Sequence, residues 1–160
     1  MIFVTVGGQL PFDRLVHAVD LWAVGQQRGD VFAQIGKSES PPSHIQWQQF
    51  LSPPDFQAKA AEAEVIIAHA GMGSMLTALE LQKPIVVMPR RAHLREHRND
   101  HQWATANRLG RNLGVVVAAD EAELVSVLNR LTDLQNLTQK RGEEYTRLLD
   151  FLRRAIADAG

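Results

Sequence analysis

The chain has 160 residues. That is one domain on the usual scale, able to bury roughly two-thirds of its unfolded surface but too short for two Rossmann-like lobes. Hydrophobic residues at 45% and charged residues at 22% exclude a disordered chain, and a net charge of −1 excludes a globally basic nucleic-acid binder. Cysteine is absent, which removes disulfides, thiolate metal sites and a cysteine nucleophile and fits a reducing compartment.

Taken in chain order, Ile2 to Val6 is a continuous apolar run that stops at Gly7-Gly8. Such a run suits a strand covered on both faces of a parallel sheet. A helix follows from about Phe12-Asp13, with Leu15, Val16, Val19, Trp22 and Ala23 at helical spacing. Asp30 to Ile35 reads as a second strand, Gly36 to Ser43 as a loop and Ile45 to Phe50 as a third strand. Ser52-Pro53-Pro54-Asp55 opens a helix that runs to about Ala63. Val65 to Ala68 is a fourth strand, and a tight loop at Gly71–Ser74 opens a helix through about Leu81. Pro84 to Met88 is a fifth strand, Pro89 to His97 a basic loop, and Asn99 to Leu109 a further helix. Val115 to Ala118 is a sixth strand, Asp120 caps a helix from Glu121 to about Leu131, and one long helix extends from about Leu134. Six alternations of strand and helix predict an α/β fold, a doubly wound Rossmann-like parallel sheet in a single domain spanning 1–160. No apolar run reaches the ~20 residues of a membrane span, so the chain reads as cytoplasmic.

Ligands of such sheets bind outside the carboxyl ends of the strands, which directs attention to four loops. The sharpest is His69-Ala70-Gly71-Met72-Gly73-Ser74. Two glycines admit a close ligand, and the amides of Gly73, Ser74 and Met75 would face out of a helix N-terminus, a ready site for a pyrophosphate. The same residues also fit a plain strand-to-helix turn with Ser74 as its cap. The pattern is neither a P-loop nor a dinucleotide fingerprint. From Arg90 to Arg111 six arginines face only Glu96 and Asp100, a net +4 against −5 for the remainder. A cationic stretch after a strand end suits a diphosphate leaving group; a solvated basic loop is the plainer reading. His93, His97 and His101 recur every fourth residue, but Pro89 and the surrounding arginines oppose a metal site, and none is expected. Asp13, Asp55, Asp100, His17 and Glu39 are scattered, so no acid–base pair emerges. The last helix carries an apolar stripe, Leu148, Leu149, Leu152 and Ile156, that fits either packing on its own domain or docking of a partner.

Together, His69-Ala70-Gly71-Met72-Gly73-Ser74, Ala78-Leu79-Glu80, Lys83-Pro84-Ile85-Val86-Val87 and Asn99-Asp100-His101-Gln102 resemble the C-terminal domain of family 28 glycosyltransferases, the nucleotide-sugar half of the GT-B fold. Val4-Thr5-Val6-Gly7-Gly8 with Phe12-Asp13 is similar too. The resemblance covers about residues 1–130 and is nearest to the one-domain forms. These are the soluble subunit of the eukaryotic dolichol-linked GlcNAc transferase and bacterial exopolysaccharide subunits of the PssE type. It implies a UDP-sugar donor and no cofactor. The backbone at Phe50-Leu51 would meet the uracil, and His69, Gly71, Met72, Gly73 and Ser74 would hold the diphosphate. Gly7-Gly8 would approach the phosphate or acceptor side. Asp100, His101 and Gln102 would lie beside the sugar. Arg90 and His101 are the catalytic candidates. Family members often carry a ribose-gripping glutamate where this chain has Thr77, and Glu80 lies a turn further on.

The chemistry implied is inverting, usually metal-independent hexosyl transfer. The acceptor's base is expected from a second, membrane-anchored subunit that binds a lipid-diphosphate-linked glycan and recruits this chain to the inner face of the plasma membrane. A non-catalytic module that activates a partner transferase is the second reading, kept open by Thr77. A nucleotide-sugar epimerase is a third, opposed by length.

Overall fold

The protein is described by a computed structural model, which defines residues 1–8, 10–96, 115–138 and 143–159. Six strands form one sheet: β1 (Ile2–Thr5), β2 (Val31–Gln34), β3 (Gln46–Gln48), β4 (Val65–His69), β5 (Ile85–Met88) and β6 (Val116–Val117). Their order is β3-β2-β1-β4-β5-β6, and every neighbouring pair is parallel. The sheet reverses its winding direction between β1 and β4, where Thr5 lies in register with Ala68. This is the topological switch point at which doubly wound sheets bind ligands.

Alternation along the strands divides the core into two layers. Ile2, Val4, Ala33, Ile67, Val86 and Met88 face α1 (Asp13–Gly25) and α4 (Glu121–Leu128). Phe3, Ile66, Ala68, Ile85 and Val87 face α2 (Pro53–Glu62), α3 (Met72–Glu80) and α6 (Glu143–Ala159). Both faces of β1, β4 and β5 are therefore buried, which is why those segments are apolar at successive positions. β3 is an edge strand with all three residues exposed, and its sequence is correspondingly polar.

Predicted helix starts hold where a side chain supplies the cap. Ser52 Oγ accepts from the Asp55 amide at 3.2 Å, and Asp120 Oδ1 accepts from the Glu123 amide at 2.9 Å. α4 stops at Leu128, α5 spans Leu131–Thr138 and α6 spans Glu143–Ala159. Residues 139–142, between the last two, lie outside the described residues, and with them the continuity expected of the long C-terminal helix. Tyr145 and Leu149 of α6 pack in the core beside α3, and the Tyr145 hydroxyl donates to the Leu79 carbonyl. The helix expected at Asn99 to Leu109 lies outside the described residues. No described helix is long and apolar enough to cross a membrane.

One buried carboxylate fixes the β2–β3 connection. Asp20 on α1 accepts from the amides of Ser43, His44 and Ile45 at 3.3, 3.0 and 2.8 Å and from His44 Nδ1 at 2.9 Å. Burial pushes the Asp20 carboxyl up, but the His44 ring and the three amides outweigh it and hold the group below its ordinary value. A carboxyl lowered in the folded state stabilises above the ordinary carboxylate range and loses that contribution as pH falls through it. Asp20→Ala, which strands three amides, is expected to reduce stability by about 3 kcal/mol at neutral pH. In thermal melts the gap to wild type should narrow as the pH is lowered to about 3; a gap unchanged with pH contradicts the assignment.

Candidate nucleotide-sugar site at the switch point

The turn after β1 and the turn after β4 meet over one imidazole. Gly7 has φ +77°, a left-handed conformation open to glycine, and a Cβ there would lie 2.8 Å from His69 Cε1. Gly71 has an ordinary φ of −91°, so its requirement is space: a Cβ there would lie 2.1 Å from His69 Nε2. His69 at the end of β4 is thus enclosed between two stretches of bare backbone.

Gly71 is also the N-cap of α3 and offers no side chain to its amides. The amide of Met75 bonds the Gly71 carbonyl at 3.2 Å, so it is consumed within the helix. The free donors are therefore the amides of Met72, Gly73 and Ser74, one residue earlier than the sequence suggests, because α3 starts at Met72 rather than after the turn. Ser74 is buried, and its hydroxyl does not cap the helix. A Cβ on Gly73 or Gly8 would meet nothing within 4 Å, so both glycines border open space. The Gly7 amide is committed to Thr5 Oγ1 at 3.2 Å.

Gly7, Gly8, His69, Gly71, Met72, Gly73 and Ser74 are therefore brought together. Thr77 sits half-buried one turn along α3. Glu80 is not available as its substitute: its Oε1 receives Arg153 Nε of α6 at 2.8 Å. Phe50 and Leu51 follow β3, two strands from β1 on the same carboxyl edge, about 10 Å across the sheet. The Phe50 ring is 49% exposed. Asp100, His101 and Gln102 lie outside the described residues, as do His97, Arg98, Arg108 and Arg111. Among the described residues no group of three or more metal-ligating side chains converges.

Arg90 departs from expectation. It is 4% exposed, and its Nη2 donates to the carbonyls of Val6 at 2.7 Å and Leu10 at 2.6 Å. Its guanidinium stacks 5.1 Å from the Phe12 ring centroid, and Arg14 stacks on the same ring at 5.4 Å. Burial pulls Arg90 down to about 10, against the Glu96 charge. Arg90 is thus a strut that shapes the β1–α1 loop rather than an open cation facing a phosphate. Glu96 takes a two-pronged bond from Arg14, both contacts 2.9 Å, and accepts the Arg91 amide at 3.0 Å. Of the described part of the cationic stretch, Arg90 thus joins the β1 loop, and Arg91 Nη2 donates to the Ala119 carbonyl at 3.4 Å. Asp13, first residue of α1, keeps a buried Oδ1 that accepts no hydrogen bond, at a helix end whose dipole favours a carboxylate.

Sequence reasoning missed Thr5 and Gln34, both buried, and register partners at the carboxyl ends of β1 and β2. The signal was a polar residue at the same place in two apolar runs, Ile2-Phe3-Val4-Thr5-Val6 and Val31-Phe32-Ala33-Gln34-Ile35. Two open clefts of about 650 and 490 Å³ flank Trp22, between α1 and the residues of α4 and α5, and hold none of the switch-point glycines.

The single parallel sheet with its flanking helices has the architecture of one half of a GT-B type fold. The chain belongs to the glycosyltransferase family 28 C-terminal domain family, whose model matches residues 1–155. MurG of Acinetobacter baumannii superposes with a TM-score of 0.60 at 17% identity, over 95% of this chain and 49% of that one. The solution structure of ALG13 gives 0.57 at 20% identity, over 80% and 83%. The glycosyltransferase SsfS6 of Streptomyces sp. SF2575, complexed with thymidine diphosphate, gives 0.57 at 17% identity, over 98% and 40%. The chain spans about half the length of MurG. No curated protein matches the chain in sequence.

The two loop glycines should behave differently on substitution. Gly71→Ala is expected to reduce stability by about 1–3 kcal/mol, because the imidazole it displaces is backed by Gly7. Gly73→Ala, in open space on a helix, is expected to be neutral or to stabilise by about 0.5 kcal/mol. Urea denaturation checks this; equal effects at the two positions contradict the packing described.

Proposed function

We propose that the chain is the donor-binding, catalytic subunit of a two-component UDP-sugar glycosyltransferase that extends a lipid-diphosphate-linked glycan in exopolysaccharide synthesis. The observation that carries this reading is the uncapped N-terminus of α3 beside Gly8 at the switch point. The three first-turn amides of α3, those of Met72, Gly73 and Ser74, supply a diphosphate with donors and with the positive end of a helix dipole, and Gly8 leaves open space for it. The amide and carbonyl of Phe50 make no protein hydrogen bond among the described residues. They suit the alternating donor and acceptor edge of a uracil, with the exposed ring beside them.

The reaction is a displacement with inversion. A hydroxyl oxygen of the acceptor attacks the anomeric carbon, and a new glycosidic C–O bond forms. The bond from that carbon to the β-phosphate oxygen breaks, and UDP departs with the electron pair. The hydroxyl proton passes to a base on the partner subunit. Negative charge grows on the departing diphosphate, where the α3 amides stabilise it in the transition state. The base is assigned to the partner as the family resemblance implies; among the described residues, Asp55 and Glu39 lie outside the glycine turns and Asp13 is the first residue of α1, its Oδ1 buried.

A specific observation favours a weaker form of this reading. At the position where the family resemblance implies a ribose-gripping glutamate this chain has Thr77, and Glu80, a turn further on, is paired with Arg153. In that form the chain activates a partner transferase without turning over the donor itself. Loss of transfer by a co-expressed pair on mutation of the His69–Ser74 turn separates the two; unchanged transfer favours the activating module.

For the isolated chain, UDP is expected to raise the melting temperature, by roughly 5–10 °C at a hundredfold excess over its Kd. ATP and NAD should not. Gly73→Asp, which puts a carboxylate into the anion site, should abolish the shift while leaving the unliganded melt nearly unchanged. No shift with UDP on the order of millimolar overturns the assignment.

A further inference from the structure

The two ends of the candidate donor site are joined through the interior of the sheet. Leu51, in the loop after β3, donates its amide to Gln34 Oε1 at 3.1 Å. Gln34 Nε2 donates to Thr5 Oγ1 at 3.4 Å. Thr5 Oγ1 also accepts the Gly7 amide at 3.2 Å. Thr5 is fully buried and Gln34 nearly so, and they face each other in register across β1 and β2. The path therefore runs from the loop that would hold the base to the loop that would border the diphosphate. It crosses two strands and passes through two side chains.

We propose that Gln34 and Thr5 are positioning residues for the donor, a buried relay that sets the base-contacting loop and the Gly7–Gly8 loop at a fixed spacing and orientation. This rests on reading the crevice as a UDP-sugar site. Neither residue touches the ligand. Gln34 turns the Leu51 amide inward, which leaves the amide and carbonyl of Phe50 as the groups presented to a base. Thr5 holds the Gly7 amide, and Gly7 at φ +77° turns the chain there, so the bond sets the conformation of the Gly7–Gly8 loop. A carboxamide suits this place because it accepts at one end and donates at the other. The Leu51 bond at 3.1 Å is the shorter link and the Thr5 contact at 3.4 Å the longer, and in a low-dielectric interior an unpaired member would be disfavoured.

The relay makes a claim that a purely structural role would not: base binding is felt at Gly7. Amide NMR spectra of the wild-type chain titrated with uridine should show shifts at Phe50 and Leu51 and also at Gly7. In Gln34→Met, similar in size but unable to bond at either end, the Phe50 shift should persist and the Gly7 response should vanish. Calorimetry at a temperature where both proteins are folded should give an affinity for UDP about tenfold weaker in Gln34→Met. Loss of stability alone does not change the Kd of the folded molecule. Should Gln34→Met fail to fold, Thr5→Val and Thr5→Ser replace it: the first removes the oxygen and should lose the coupling, the second keeps the oxygen and should restore it. Equal UDP affinity in wild type and Gln34→Met, or a Gly7 response to uridine that survives the substitution, overturns the relay alone. Absence of UDP binding by the wild-type chain overturns the site reading and the relay with it.

Discussion

The imidazole of His69 is held between two glycines, and the geometry of the carboxyl edge depends on that contact. With a Cβ at Gly71 the ring would be met at 2.1 Å, and with a Cβ at Gly7 at 2.8 Å. Only because both are bare can the β1 and β4 turns close over one side chain at the point where the sheet reverses its winding. That closure places the uncapped end of α3 beside Gly8. A parallel sheet offers such an edge at every strand end, but the crevice between divergent connections occurs where β1 meets β4.

The loops of this edge are held by polar bonds more than by apolar packing. Arg90 ties the strand β5 side to the carbonyls of Val6 and Leu10. Arg14 and Glu96 tie α1 to the residues after β5. Gln34 and Thr5 tie the β3 loop to the β1 loop. Directional bonds fix loop positions where an apolar contact would leave them free to slide, and a site that recognises a long, charged ligand needs its donors at set places. Asp20 plays the corresponding part on the β2–β3 connection, gathering three consecutive amides onto one carboxylate. Below the edge, the two apolar layers supply the bulk of the stability and carry none of these roles.

Much of this was legible in the residues. The buried strands announce themselves as apolar runs because both of their faces are covered, and the caps at Ser52 and Asp120 follow from oxygen-bearing side chains before a helix. The turn His69–Ser74 was recognisable because two glycines and a serine follow directly on an apolar strand. Other features depend on contacts far apart in sequence. Arg90 sits in a run of arginines, and nothing in that run distinguishes a buried strut from a solvated cation; its partners lie 84 and 80 residues away. The start of α3 at Met72 was masked by Gly73, which usually marks a turn. Thr5 and Gln34 read as ordinary strand residues until β1 and β2 are placed side by side. Strand order itself is a long-range property that local pattern does not encode.

Family 28 membership over residues 1–155 and a span of about half of MurG together frame the chain as one lobe of a sugar-transfer architecture. The proposed site requires a nucleoside diphosphate to lie across the carboxyl edge, with its phosphates at the α3 N-terminus. A crystal structure of the chain with UDP is the decisive measurement. The diphosphate is expected within hydrogen-bond distance of the Met72, Gly73 and Ser74 amides, near Gly8, and the uracil against Phe50. UDP seated instead in a cleft beside Trp22, or phosphates remote from the end of α3, would contradict it.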